Sequence, residues 1–161
     1  MVRVSPALGG LQRKKALSDA LDWACLSHEL GPHLTVGDLL HFDARRALAA
    51  QQQEPKLLKL AWQYNQIRAA WNGPIRIVGG FCPEPFNRAI CGAADSLHAE
   101  GIALDLVPLD DRVDRFYKWL SKRWSGGLGH GKTKGSVHID MRHQGRFSKK
   151  GDLKPSKCWT Y

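Results

Sequence analysis

The chain has 161 residues, 43% of them hydrophobic and 24% charged, which at this length provides for one buried core and little beyond an arm or tail. That balance excludes a disordered or collagen-like chain, and no apolar run approaches the roughly 20 residues needed to span a bilayer. Twenty-four Lys and Arg against 15 Asp and Glu give a formal charge of +9, which favours polyanionic partners such as nucleic acid, anionic lipid or an acidic cell wall without choosing among them.

The opening MVRVSPALGGLQRKK lacks the apolar run of a secretory signal, so the expectation is a chain made in the cytoplasm. Leu11, Leu17, Leu21, Ala24 and Cys25 recur at helical spacing over 11–28, predicting an N-terminal helical arm within residues 1–29. Thr35 is placed to cap a single helical turn, and residues 44–52 read as a short helix. Pro55 opens a longer helix, Lys56 to Asn72, with Leu57, Leu60, Ala61, Tyr64, Ile67, Arg68 and Trp71 on one face. Gly73-Pro74 stops it.

Beyond Pro74 the period changes. Ile75 to Val78 alternates as a strand ended by Gly79-Gly80, and residues 81–97 form a loop rich in Pro, Asn and Gly. A strand is expected over Ile102–Val107, an amphipathic helix over 110–123, a glycine-rich turn or edge strand over Gly126–Gly131, and a strand over Val137–Met141. The basic tail 144–161 reads as an extended arm with Trp159 as its anchor. The other five tryptophans fall on predicted helices, where core packing is the expected use. Helices followed by antiparallel-looking strands indicate an α+β fold, a small antiparallel sheet with flanking helices. No phosphate-binding loop and no nucleic-acid motif is present. Of four cysteines, Cys82 and Cys91 flank a short loop and could pair under oxidising conditions; otherwise the cysteines are expected as buried thiols.

The chemistry is concentrated in Ser96-Leu97-His98-Ala99-Glu100-Gly101-Ile102-Ala103-Leu104-Asp105 and, later, Val137-His138-Ile139-Asp140. Strand alternation puts Ala103, Asp105 and Val107 on one face, and Ser136, His138 and Asp140 on one face of their own strand. Leu104, Leu106, Val137, Ile139 and Met141 then face the core. If the two strands are neighbours, His98, Asp105 and His138 converge. Two nitrogens and an oxygen suit Zn²⁺ at about 2.0–2.2 Å and leave one tetrahedral position open, as in catalytic zinc sites. An unpaired carboxylate inside an apolar strand costs several kcal/mol and needs a cation or strong donors. Spacing alone leaves a metal site and an ordinary His–Asp pairing equally open.

The run GPIRIVGGFCPEPFNRAICGAADSLHAEGIALDL, with GSVHIDMR downstream, resembles the zinc D-alanyl-D-alanine carboxypeptidase family, peptidoglycan peptidases of the hedgehog/DD-peptidase fold. The resemblance covers residues 30–143, leaving 144–161 as a basic tail. It implies His98, Asp105 and His138 as zinc ligands, peptidoglycan stem peptides as substrates, and cleavage as carboxypeptidase or endopeptidase. The charge then suits anionic wall polymers rather than a membrane or nucleic acid. An endolysin-like phage enzyme, acting on the wall after release or as part of a virion, is the setting implied.

Two positions depart from the family pattern. Cys82 stands where members often carry an arginine that holds a substrate carboxylate; Arg76 or Arg88 is the available replacement, with Ser96 a further candidate near the substrate. Gly135 stands where many relatives place a glutamate base. Asp140, either as base or as an acceptor orienting a ligand histidine, and His130, for proton transfer or oxyanion stabilisation, are the candidates that remain. These departures also allow a module that keeps the zinc fold without activity.

Overall fold

A computed structural model describes residues 21–90, 92–110 and 112–161. Helix α1 (Val36–Leu40) starts at the expected cap: Thr35 Oγ1 accepts the Asp38 N–H at 3.3 Å, and Asp38 Oδ2 accepts the Thr35 N–H at 2.8 Å. His41 ends it in the left-handed region, at φ 53°. A 3₁₀ turn (Ala44–Arg46) leads into α2 (Ala47–Gln52) and α3 (Glu54–Trp71). Pro55 sits in the first turn of α3, where its missing N–H costs nothing. Leu57, Leu60, Ala61, Tyr64 and Ile67 are the buried face that periodicity indicates. The strands and remaining helices are β1 (Ile75–Gly79), α4 (Glu84–Ala89), β2 (Ala103–Pro108), α5 (Val113–Leu120), β3 (Gly127–Gly131), β4 (Ser136–Asp140) and β5 (Lys157–Thr160).

The molecule is α+β, with one five-stranded sheet in the order β1-β2-β4-β3-β5. The first three pairings are antiparallel, whereas β5 joins β3 in parallel, so the sheet is mixed rather than wholly antiparallel. One sheet face carries Leu104, Leu106, Leu128, Val137 and Ile139, all fully buried in the core with Phe116 and Leu120 of α5 and with Leu57, Leu60 and Ile67 of α3. Trp124 locks two strand ends together: its buried Nε1 donates to Gly127 O at 3.0 Å and Asp140 O at 3.2 Å. A Cβ on Gly126 would lie 1.9 Å from Asp140 O, so only glycine permits that approach. Among the described residues no helix is long and apolar enough to cross a membrane.

Several elements differ from the sequence expectation. Residues 21–28 form turns, not the end of a helix over 11–28; Asp22 Oδ1 accepts the Ala24 N–H, and Trp23 Nε1 reaches Glu54 Oε2 at 2.9 Å. These side-chain bonds offer the backbone an alternative to helix. The earlier part of that arm lies outside the described residues. The loop 81–97 contains α4. The glycine-rich stretch is neither turn nor edge, because β5, the end of the tail, covers it. Cys25 and Cys158 are exposed and Cys82 is half-buried, all three free, rather than buried thiols; the pairing of Cys82 with Cys91 concerns a residue outside those described. Trp62 is 57% exposed on α3, not in the core.

Candidate metal centre

Strand register builds the site as one row across the sheet. Gly79 lies opposite Asp105, Asp105 opposite His138, His138 opposite Gly129, and Gly129 opposite Trp159. The row occupies the face away from the core, because its neighbours Leu104, Leu106, Val137 and Ile139 point into the core. Glycine flanks the functional pair on both sides for want of space. A Cβ on Gly79 would fall 2.2 Å from Asp105 Oδ2, and one on Gly129 would meet the Trp159 indole at 2.8 Å.

His98 joins the row from the loop before β2. Its backbone O accepts N–H groups from Cys82 at 3.2 Å and Gly101 at 3.3 Å, with Gly101 in the left-handed conformation. Its Nδ1 is 3.0 Å from Gly80 O, a carbonyl that can only accept; Nδ1 therefore carries the proton, and Nε2 faces Asp105 Oδ2 at 3.4 Å. His138 is held the other way round. Its Nε2 is 3.2 Å from Asp140 Oδ2 and its Nδ1 is 2.8 Å from Asp105 Oδ1. Donor atoms of His98, Asp105 and His138 all lie within 4.8 Å of one another. Two imidazoles and a carboxylate, each imidazole with one nitrogen anchored and the other turned inward, form a donor set fitted to a divalent ion.

The electrostatics agree with that arrangement. Burial works to raise the Asp105 pKa, but hydrogen bonds from His138 and His98 and their charges overcome it and hold the carboxyl well below its ordinary range. Burial likewise lowers the His138 pKa, yet Asp105 and Asp140 together raise it above its usual value. For Asp140 burial again acts upward and is outweighed by His138 and Arg142, so it too stays ionised.

Asp140 is fully buried and its oxygens are taken. Oδ1 accepts from the N–H of Gly127 and Arg142 and from Arg142 Nε at 2.7 Å, and Oδ2 from Arg142 Nη2 at 2.8 Å. That environment does not suit the alternative of a proton-accepting base and leaves it oriented on His138. His130 does not join the site. It points to the opposite face, stacked on Tyr117 with ring centroids 4.5 Å apart, and its Nε2 is 2.8 Å from Asp114 Oδ1. Arg76 is exposed on β1 and does not line the cleft, whereas Ser96 does. Arg88 is exposed and paired with Glu84. Gly135 occupies the turn between β3 and β4 at φ 64° with open space around it.

A cleft of about 470 Å³ opens over His98 and Asp105, walled by Val78, Cys82, Ile90 and Ser96. Two further lining residues, His41 and Arg46, escape sequence reasoning. Both come from the short connection after α1, more than 50 residues before His98 and more than 90 before His138, and no periodicity or motif links them. Burial and the Arg46 charge lower the His41 pKa, and its Nε2 accepts the Gly80 N–H at 2.7 Å. Beyond His138 the row ends at Trp159, its ring 5.3 Å from that of His138, with the Arg142 guanidinium 5.2 Å from the indole.

The sequence model of the family described as Peptidase M15 matches residues 32–140. The chain belongs to the Peptidase M15 family. The match spans His98, Asp105 and His138 together with the connection that carries His41 and Arg46. No curated protein and no solved structure matches the chain. As an M15 member it presents its His–Asp–His group on the sheet face opposite the core that α3 and α5 cover.

Proposed function

We propose that this M15 protein is a zinc-dependent peptidase that hydrolyses peptide bonds in peptidoglycan, as an endolysin-like enzyme acting on the wall after release or within a virion. The observation that carries this reading is the convergence of His98, Asp105 and His138, two of which, His98 and Asp105, line a cleft of about 470 Å³. When bound there, Zn²⁺ supplies a Lewis acid that polarises the scissile carbonyl. His98 Nε2, one oxygen of Asp105 and His138 Nδ1 are the atoms that hold it. Gly80 O and Asp140 fix the two rings in the tautomers this requires. Val78 and Ile90 give the cleft an apolar wall against which a stem peptide packs, and the surplus of nine positive charges draws the enzyme to anionic wall polymers.

The test is turnover of purified peptidoglycan. Released peptide fragments or amino acids are expected from the zinc-loaded protein, lost on chelation and restored by zinc. If zinc is bound and stabilises the fold while no bond is cut at any pH, the chain is an inactive wall-binding module and the hydrolase reading is wrong.

A further inference from the structure

The cleft wall includes an imidazole that the three ligands do not employ. His41 comes from the end of α1 and lines the cavity as an exposed residue. Gly80 joins it to the site: the Gly80 N–H donates to His41 Nε2 at 2.7 Å, while Gly80 O lies 3.0 Å from His98 Nδ1. An amide N–H only donates, so Nε2 is the bare nitrogen of His41 and Nδ1 carries the proton of the neutral ring. That Nδ1–H has no acceptor among the described residues. Burial, then the charges of Arg46 and His98, lower the His41 pKa against the opposing pull of Asp105. A ring kept neutral retains both its acceptor and its donor.

The backbone leaves its ordinary range to put the ring there. His41 and Phe42 both lie in the left-handed region, at φ 53° and 54°, which is sparsely populated by residues with side chains and least of all by a bulky aromatic. One such residue suffices to close a helix; here there are two. Both N–H groups donate to Gly37 O, and Leu39 O accepts the Phe81 N–H at 2.8 Å. A Cβ on Gly80 would fall 2.3 Å from that same Leu39 O, so the turn reaches α1 only as glycine. Strain of this kind collects where a side chain must be aimed for function.

We propose that His41 is a further catalytic residue, whose Nδ1–H donates to the oxygen of the scissile carbonyl as negative charge gathers there. The proposal rests on the cleft being a peptidase site and adds to it a neutral, preorganised hydrogen-bond donor. Such a donor stabilises the transition state more than the substrate, because the charge it meets is fully developed only then.

Two substitutions separate the roles of the two nitrogens. In His41→Gln, Oε1 takes the place of Nε2 and keeps the Gly80 N–H, but the Nδ1 donor is gone. In His41→Asn, the amide nitrogen takes the place of Nδ1, and asparagine tolerates left-handed backbone. The probe is a phosphinate analogue of an alanyl-alanine dipeptide, whose tetrahedral P–O⁻ copies the developing charge, with binding followed by calorimetry on zinc-loaded protein. His41→Gln is expected to bind it between about ten-fold and about a hundred-fold more weakly than wild type at unchanged zinc content, while His41→Asn stays within about three-fold. On peptidoglycan, His41→Gln loses about a hundred-fold in kcat with KM little changed. Imidazole nitrogen NMR of the metal-free wild type is expected to show neutral His41 protonated on Nδ1, and protonation on Nε2 overturns the proposal without recourse to any variant. Phosphinate binding that is absent in wild type, or equal in wild type and His41→Gln, overturns it too. So does an equal loss in both variants, which would make His41 only a brace for Gly80. If peptidoglycan is cut equally by wild type and His41→Gln, the hydrolase reading stands and the donor falls. If wild type cuts nothing while the phosphinate pattern holds, the hydrolase reading falls and the donor stands.

Discussion

His98 and His138 each spend one ring nitrogen on a fixed acceptor, Gly80 O for the first and Asp140 for the second, and turn the other toward Asp105. Asp140 matters through that bond and through its three hydrogen bonds from Arg142. Asp140→Asn leaves the shape but replaces one acceptor oxygen with an NH2 donor and removes the charge, so His138 and Arg142 can no longer both be satisfied. Zinc affinity, measured by competition with a chromophoric chelator, is expected to fall about ten- to a hundred-fold. Stability is expected to drop by about 3 kcal/mol, near the lower end for a broken buried ion pair because Arg142 can rehydrate. Unchanged zinc affinity would mean that Asp140 does not orient His138. At this scale the three converging side chains were legible, because strand alternation alone puts Asp105 and His138 on their polar faces. The choice between base and orienter for Asp140 was not, since it depends on Arg142 curling back. His130 was misplaced although the signal existed: in Gly127-Leu128-Gly129-His130-Gly131 the glycines share one face, which sends His130 to the side of Leu128.

Among elements, the contact of α3 with β1 is the one whose energetics can be isolated. Tyr64, on the buried face of α3, donates its hydroxyl to Ile75 O at 2.8 Å, and burial pushes its pKa up to about 12. In the unfolded chain it ionises near 10, so between about pH 10 and 12 the unfolded state binds fewer protons and stability falls as pH rises. Tyr64→Phe should be less stable than wild type by about 1 kcal/mol at neutral pH for the lost hydrogen bond. As urea midpoints are followed from pH 9 toward 12, wild type is expected to lose roughly 2 kcal/mol relative to the variant, so the gap closes and then reverses. A gap independent of pH would show that the hydroxyl is not buried at the helix–strand contact. Periodicity located α3, β1, β2 and β4 well. It missed α4 because Pro83 and Pro85 read as loop, although both stand at the helix start, where a proline needs no N–H partner. It missed β5 because four residues at the edge of a sheet carry no pattern of their own; their partner, β3, supplies the order.

For the molecule as a whole, the sheet divides the labour between its faces. Apolar residues of β2, β3 and β4 bind the helices on one side, and the row Gly79, Asp105, His138, Gly129, Trp159 forms the site on the other. Composition and charge indicated one basic core, and the motif indicated the His98–Asp105–His138 group that the fold brings together. Neither could show that the connection after α1 returns to that group with His41 and Arg46, because that closure is made by backbone bonds such as Phe81 N–H to Leu39 O at 2.8 Å. The central claim is that three side chains from separate parts of the chain hold one ion. It is tested most directly by the zinc content of the purified protein after dialysis, compared with His98→Ala shown to be folded by circular dichroism. One zinc per chain in wild type and a substoichiometric amount in the variant is the expected result; equal zinc in both would contradict it.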